Sequence, residues 1–183
     1  MSEKRDAGET SPWYAIRTFN CQEQKVSRFL DEKGYVHFIP MTFAPETQDE
    51  EGEGRVVRTL VPAIHNLLFV QKAGPPKKMI RTLSECAIPV CIFRNPGQEK
   101  LCEISARDMI ELRMLCDPRF KTAVFMSQGE AETMVGKDVR VIAGPFKGSV
   151  GRLVRKDKQY YFLKAVIGMG VMVRVSRWYC EPV

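Results

Sequence analysis

The side chains that most often perform catalysis or bind metals are few and scattered in this sequence. His37 and His65 are its only imidazoles; both lie in apolar segments, without an HExxH motif or a neighbouring cysteine. The six cysteines include no CxxC pair, and Cys91 and Cys102 have no histidine or basic cluster nearby that would activate a thiol. We therefore predict packed or edge histidines, buried reduced cysteines, no metal, no cofactor and no enzymatic activity. An enzyme that uses one of the cysteines remains the alternative.

One glycine-rich segment could be mistaken for a phosphate-binding loop. It reads Gly144-Pro145-Phe146-Lys147-Gly148-Ser149, but it lacks the GxxxxGK[ST] pattern and leads into a strand. A phosphate loop needs a following helix N-terminus, whose free N–H groups bind the anion. The segment is therefore predicted to be a turn.

The charge of the chain is unevenly distributed. The 183 residues carry a formal net charge of +6, and residues 133–183 hold ten Lys and Arg against three Asp and Glu. Such a basic segment suits a nucleic-acid backbone or an acidic protein face, although a solubilised surface is the alternative. No signal peptide and no run of about 20 apolar residues occurs, so we expect a cytoplasmic protein.

The N-terminal part is predicted to be a domain of strands and helices at 13–118, behind a disordered tail at 1–12. The segment 64–70 is too apolar for a strand with one face in water, so it is either central or binds something on its outer face. The acidic segment 45–54 is expected to be a loop. The predicted strands are 13–19, 35–40, 55–62, 64–70 and 89–94.

Three helices are predicted in this domain. The first spans 21–33, with Asn20 as its N-cap and Gly34 as its C-terminal stop. The second opens at Pro75-Pro76 and contains Met79, Ile80 and Leu83. The third spans 105–116, because Ser105 and Asp108 have the spacing of a capping box.

The C-terminal part is predicted to be a small β-barrel at 133–183, after a linker at 119–132. Short strands alternate with turn residues there, which is typical of a small barrel. A unit of this size cannot bury all its aromatic rings, so some should be exposed for a partner. The predicted strands are 139–142, 150–155, 160–166 and 171–175, and the rings are those of Phe146, Tyr160, Tyr161, Phe162, Trp178 and Tyr179.

Three segments resemble the NusG family of transcription factors. Residues 13–18 resemble its opening WYxxxx strand, and residues 64–70 resemble its FPGYxFV strand, with Ile64-His65-Asn66-Leu67 where the family has Phe-Pro-Gly-Tyr. Residues 139–151 resemble the KOW core VxVxxGPFxGxxG, which is the most specific of the three matches. The hairpin at 90–101 and the following helix are most similar to the UpxY branch, specialised antiterminators of capsular-polysaccharide operons in Bacteroides-type bacteria.

The resemblance implies an α+β fold and a non-catalytic function. An antiparallel sheet flanked by helices would dock on the β′ clamp helices of bacterial RNA polymerase, and a tethered five-stranded SH3-like KOW barrel would bind a second protein. The protein would then suppress pausing and premature termination. By resemblance, the polymerase-binding positions are Arg17, Phe19, Ile64, Leu67 and Phe69, and Phe146 projects from its loop as the partner contact of the barrel, with simple packing as the alternative for Phe146.

Contact with DNA or RNA in the elongation complex is predicted from basic positions, with a purely solvating role of these side chains as the alternative. A general RNA- or ribosome-binding module that acts through the basic barrel is the alternative function. The candidate residues are Lys25 and Arg28 on the first helix and Arg152, Arg155, Lys156 and Lys158 around one barrel hairpin.

Overall fold

The computed structural model describes residues 10–44, 59–95, 97, 100–118, 123–166 and 169–183. The chain divides into two units, the first made of Met1–Pro40 with Ile64–Ile110 and the second of Met41–Ala63 with Glu111–Val183. The predicted domain boundaries remain predictions. The elements are β1 (Trp13–Arg17), α1 (Glu23–Glu32), β2 (His37–Phe38), β3 (Met41–Phe43), β4 (Leu60–Pro62), β5 (Leu67–Gln71), α2 (Pro76–Ser84), β6 (Cys91–Ile92), β7 (Glu103–Ile104), α3 (Ala106–Leu115), β8 (Val124–Ser127), α4 (Gln128–Thr133), β9 (Lys137–Val141), β10 (Val150–Lys156), β11 (Gln159–Val166), β12 (Met169–Arg174), a 3₁₀ turn (Arg177–Tyr179) and β13 (Cys180–Pro182).

The first unit is built on an antiparallel sheet with the strand order β2-β5-β1-β6, in which β7 also pairs with β1. β5 is thus a central strand, as its apolar sequence predicts. Tyr14 lies opposite Val70 and Ile16 opposite Leu68, so these four side chains share one face of the sheet. They form the core with buried apolar residues of α1 and α2, namely Val26, Leu30, Met79 and Leu83.

A polar chain links β1 to β7 at the edge of this core. The Tyr14 hydroxyl donates a hydrogen bond to Glu103 Oε1 at 3.0 Å, and Lys72 Nζ lies 2.7 Å from the same oxygen. The hydrogen bond from Lys72 holds the pKa of Glu103 below its usual value. Burial, followed by the bond to Glu103, raises the pKa of Tyr14. The phenol therefore stays protonated and serves as a donor.

The first helix differs from the prediction at its start and agrees at its end. Asn20 is not the N-cap: Gln22 occupies that position, and Asn20 and Cys21 have left-handed φ angles of 56° and 53°. A side-chain N-cap needs an extended backbone, which Asn20 does not have. Gly34 confirms the predicted stop, because its φ is 72° and its N–H bonds to Asp31 O at 2.9 Å.

Several predicted strands are shorter or displaced. The segment 64–70 begins as a turn, and its strand starts only at Leu67, because Asn66 has a left-handed φ of 62°. The segment 35–40 supplies only β2, and β3 follows it and pairs with β4. Residues 45–58, with the acidic loop and the first half of the next predicted strand, lie outside the described residues, as do residues 1–9 of the predicted tail.

The other two helices begin where the sequence predicts. Ser105 Oγ accepts the Asp108 N–H at 3.0 Å and donates to Asp108 Oδ2 at 2.8 Å, so the predicted capping pair at the start of α3 is confirmed. In α2, Met79 and Leu83 are buried, and Ile80 is 42% exposed. None of the helices in the described part of the chain has the length and apolar character that crossing a membrane requires.

The six cysteines are all free, and most are not buried, which corrects the sequence-based expectation. Cys21 and Cys91 are exposed, and Cys116 is the buried one, where burial raises the pKa of the thiol to about 12. For Cys91 and Cys180, which lie in strands, apolar neighbours in sequence do not indicate burial, because alternate residues of a strand point to opposite faces.

The second unit is built on an antiparallel sheet with the order β13-β9-β10-β11-β12-β8. The four predicted barrel strands are present as β9 to β12. The segment predicted as a linker at 119–132 contains two elements that sequence reasoning missed, β8 and α4. Both are short: β8 pairs with β12, and Ser127 and Glu130 form a capping box at the start of α4. The α+β fold class is confirmed.

Gly151 allows β10 and β11 to approach closely. A Cβ atom at this position would lie 2.6 Å from Leu163 O and 2.7 Å from Phe162 Cζ. The Phe162 ring is fully buried, and the Leu163 oxygen belongs to the backbone, so neither can move away cheaply. Gly151 therefore has a structural role in the sheet.

We expect Gly151→Ala to lower the free energy of unfolding by about 1–3 kcal/mol, because the added methyl group overpacks the sheet. Gly129→Ala is the matched control, since nothing lies within 4 Å of its added Cβ. This control should leave stability unchanged or raise it by up to about 1 kcal/mol, as alanine favours helix. Urea unfolding monitored by circular dichroism measures both. Equal stability of the two variants would contradict the assignment.

Candidate functional site

The candidate site lies on one face of the first sheet. We call this the second face, because it is opposite the face that packs on α1 and α2. Strand alternation places Trp13, Ala15 and Arg17 on it, with Phe69 opposite Ala15 and Leu67 opposite Arg17. The middle of this face is closed: Phe69 is 0% exposed, and its ring centroid lies 6.4 Å from that of Phe38. An exposed Phe69 is therefore ruled out in this conformation, and its side chain is part of a buried layer.

One end of the second face is open. Arg17 is exposed and lies between Leu67 and Cys91 in one cross-strand row. Its guanidinium carbon is 5.7 Å from the centre of the Phe19 ring, which is 42% exposed. Ile64 and Leu67 are half-buried beside the strand ends. We call Arg17, Phe19, Ile64 and Leu67 the sheet end; it contains four of the five predicted polymerase-binding residues.

Asn66 fixes the two loops that border the sheet end. Its backbone oxygen accepts the Thr18 N–H at 3.0 Å, and its side-chain Oδ1 accepts the Cys21 N–H at 2.9 Å. Its own N–H donates to the carboxylate of Glu23. Glu23 is 1% exposed and lies in the first turn of α1, where the helix dipole favours a negative charge. The loop after β1 is thereby bound to the turn before β5.

A cluster of three potential ligands lies in these loops. Cys21 Sγ is 3.7 Å from His65 Nδ1, and one ligand atom each of Cys21, Glu23 and His65 lies within 4.8 Å of the others. No cysteine is near His65 in the sequence, but the fold brings Cys21 beside it. His37 is a packed histidine as predicted, with Nε2 2.6 Å from Ser27 Oγ and Nδ1 3.2 Å from Tyr35 O.

The basic candidates differ in the exposure and hydrogen bonding of their side chains. Lys25 and Arg28 are exposed on α1. Arg155, Lys156 and Lys158 are exposed around the β10–β11 hairpin. Arg152, by contrast, is half-buried and donates to the Met134 and Glu132 carbonyls at 2.8 and 3.4 Å. Its guanidinium thus holds the chain after α4 in place.

Sequence reasoning missed Arg177 in the second unit. The guanidinium carbons of Arg155 and Arg177 lie 5.9 and 6.0 Å from the centre of the Tyr160 ring. Trp178, next to Arg177, is 84% exposed. The basic-aromatic run Arg177-Trp178-Tyr179 was the available signal. We call Arg155, Tyr160, Arg177 and Trp178 the basic-aromatic patch.

Phe146 does not project from its loop. Its side chain is only 5% exposed, which favours the packing alternative in this conformation. The turn itself is as predicted: Gly144 and Gly148 have left-handed φ angles of 81° and 91°, and the Gly148 N–H bonds to Val141 O at 2.7 Å. The role of Phe146 as a partner contact remains a prediction.

Comparison with known proteins identifies the family. The family model "Transcription termination factor nusG" matches residues 11–113, and the KOW motif model matches residues 135–167. The chain therefore belongs to the NusG family, whose domains are non-enzymatic transcription-factor domains and whose members generally bind RNA polymerase. A comparison with curated proteins gave no match.

A solved structure supports the fold of both parts. The structure titled "Domain interaction in Thermotoga maritima NusG" is similar to this chain with a TM-score of 0.55 and 16% sequence identity. The match covers 96% of this chain and 99% of that chain. At this identity the likeness shows the NusG-like fold, in which the six-stranded sheet of the second unit corresponds to the KOW, SH3-like part.

We expect Asn66→Gly and Asn66→Ala to release the loop after β1 to different degrees. Both variants lose the Oδ1 acceptor, so hydrogen exchange at the Cys21 amide should accelerate at least tenfold, as expected for about 1.4 kcal/mol of lost protection. Glycine tolerates the left-handed backbone, so the Thr18 amide, which bonds to the Asn66 carbonyl, should stay protected in Asn66→Gly. In Asn66→Ala it should exchange faster as well. Unchanged exchange at Cys21 in both variants would rule out this role of Asn66.

Proposed function

We propose that the protein is an elongation and antitermination factor that binds bacterial RNA polymerase through the sheet end. The observation that carries the proposal is the exposed Phe19 ring beside the Arg17 guanidinium, with the half-buried Leu67 opposite Arg17 and the half-buried Ile64 in the turn before β5. An apolar centre with a cation at its rim suits a helical protein surface that offers apolar and acidic side chains. The β′ clamp helices are the proposed surface.

Phe69 has a supporting role in this proposal. It is buried, and it lies on the same strand and face as Leu67, two residues further along β5. Its stacking on Phe38 holds the strand from which Leu67 projects. A charged substitution at Phe69 would therefore test folding, and a test of docking must use the exposed residues.

The proposed mechanism is occupancy. A protein that binds one conformation of a transcribing polymerase better than another shifts the population toward the first. The shift is limited by the ratio of the two affinities, so the protein needs no catalytic group. Preference for the conformation with a closed clamp would reduce pausing and premature termination.

The proposal extends to the UpxY branch and a capsular-polysaccharide operon as the target. This finer assignment is supported by the hairpin after β6, on which the resemblance rests. Arg94 and Leu101 form an isolated antiparallel β-bridge, and the Asn95 N–H donates to Lys100 O at 3.0 Å. Gly97 has a left-handed φ of 71°. The target can be tested by measuring read-through of the capsular operon leader in cells that lack the protein.

We expect Phe19→Asp to weaken binding to RNA polymerase by roughly 30-fold or more, the loss typical of a central aromatic contact. Ile80→Asp is the matched control, because Ile80 is an apolar residue with the same 42% exposure but lies on α2, outside the sheet end. It should bind like the unmodified protein. Biolayer interferometry with polymerase from the source organism measures both variants.

Circular dichroism should show both variants folded, because both positions are partly exposed. Equal affinity of Phe19→Asp and Ile80→Asp would reject the sheet end as the docking site. Loss of binding in Ile80→Asp alone would move the site to the α1–α2 side of the unit.

The basic-aromatic patch favours a second function, binding of single-stranded nucleic acid by the second unit. Two guanidinium groups lie near the Tyr160 ring, and Trp178 is exposed and can stack on a base. Arg155 and Arg177 can pair with phosphates, and Lys156 and Lys158 extend the same charge along the hairpin. In the elongation complex, the second unit would contact RNA or DNA near the polymerase. In the alternative function, it would bind RNA without the polymerase.

We expect binding to single-stranded RNA to weaken steeply with salt. The double variant Arg155→Ala/Arg177→Ala should lower the slope of log affinity against log salt by roughly two, one for each lost phosphate contact. The control Lys77→Ala/Lys78→Ala removes two exposed charges from α2 and should leave the slope unchanged. Fluorescence anisotropy with a labelled RNA at several salt concentrations measures the slopes. Absence of binding at low salt, or equal slopes, would reject this function.

A further inference from the structure

We propose that Cys21, Glu23 and His65 form a Zn²⁺ site that joins the loop after β1 to the turn before β5. The three residues combine a thiol, a carboxylate and an imidazole, which together are a common ligand set for zinc. Their ligand atoms all lie within 4.8 Å of one another. The proposal concerns metal binding by this chain and does not depend on the polymerase interaction.

The distance between sulfur and nitrogen fits a shared metal ion. Zn–S bonds of about 2.3 Å and Zn–N bonds of about 2.0–2.1 Å at a tetrahedral angle place the two ligand atoms about 3.6 Å apart. Cys21 Sγ and His65 Nδ1 are 3.7 Å apart. The two side chains therefore need almost no rearrangement to bind one ion.

Glu23 is oriented toward this position by its surroundings. It is 1% exposed, and one of its oxygens accepts the Asn66 N–H, which leaves the other oxygen available as a ligand. A carboxylate held in this way loses little side-chain freedom on binding a metal. Asn66 also accepts the Cys21 N–H, so one residue supports two of the three ligands.

The chemistry of the site selects among metals. Sulfur and imidazole nitrogen disfavour Mg²⁺ and Ca²⁺, which prefer oxygen ligands. Three protein ligands leave a fourth position on Zn²⁺ for water or for a ligand from a partner. Cys21 binds as the thiolate, so its proton is released to the solvent and affinity falls as the pH falls.

Two buried oxygens in the same loop provide an independent observation. Within the described residues, Thr18 Oγ1 and Gln22 Oε1 are buried without a hydrogen-bond partner. Such atoms are rare in folded proteins and are usually satisfied by bound water or an ion. Thr18 precedes and Gln22 follows Cys21 along the chain, in the loop that carries the proposed ligand.

The test uses the full chain, reduced with a phosphine and stripped of metal with a chelator that is then removed. We expect equilibrium dialysis against micromolar Zn²⁺ to give one ion per chain. Co²⁺ should give the absorption of a cobalt–thiolate bond. Cys21→Ser and His65→Ala should each weaken Zn²⁺ binding at least tenfold, and both positions are exposed, so the fold should persist.

Matched controls separate this site from adventitious binding. Cys91→Ser removes the other exposed cysteine, and His37→Asn removes the other histidine; both should bind Zn²⁺ like the unmodified protein. Glu23→Gln keeps the acceptor for the Asn66 N–H, so it should remain folded but bind more weakly. The proposal is overturned if the folded, unmodified protein binds no Zn²⁺, or if Cys21→Ser and His65→Ala retain full affinity.

Discussion

The antiparallel pairing of β1 with β5 is the constraint on which the rest of the first unit depends. Its register runs from Trp13 opposite Gln71 to Arg17 opposite Leu67, and the bond from the Thr18 N–H to Asn66 O extends it beyond the strands. A shift by one residue would move every core side chain to the wrong face. The same register brings the loop after β1 against the turn before β5, so the core and the candidate site are set together.

The elements that the sequence predicts well are those with a strong local signal. β5 is recognisable because it is apolar on both faces, and α3 because Ser105 and Asp108 cap it. The barrel strands follow from turn residues at short intervals. β8 and α4 escaped because a strand of four residues and a helix of six are too short to show a period, although the Ser127–Glu130 spacing was visible.

The candidate site is less accessible to sequence reasoning, because burial and proximity arise from tertiary structure. Nothing near Phe69 in sequence indicates that it is buried while Leu67, on the same face, is partly open. Arg152 resembles its exposed neighbours in charge, yet it bonds to backbone carbonyls. Cys21 and His65 are separated by 44 positions and meet only because β1 and β5 pair.

The turn before β5 shows how one local change can alter two properties. The segment Ile64-His65-Asn66-Leu67 stands where the resemblance places Phe-Pro-Gly-Tyr, so Asn66 occupies the glycine position. Its φ of 62° requires a residue that tolerates the left-handed region, and asparagine is the side chain that does so best. Unlike glycine, it also accepts the Cys21 N–H. The substitution removes two aromatic rings from the sheet end, and it adds an imidazole and a polar anchor beside a thiol. The same turn therefore contributes residues to both the proposed docking surface and the proposed zinc site.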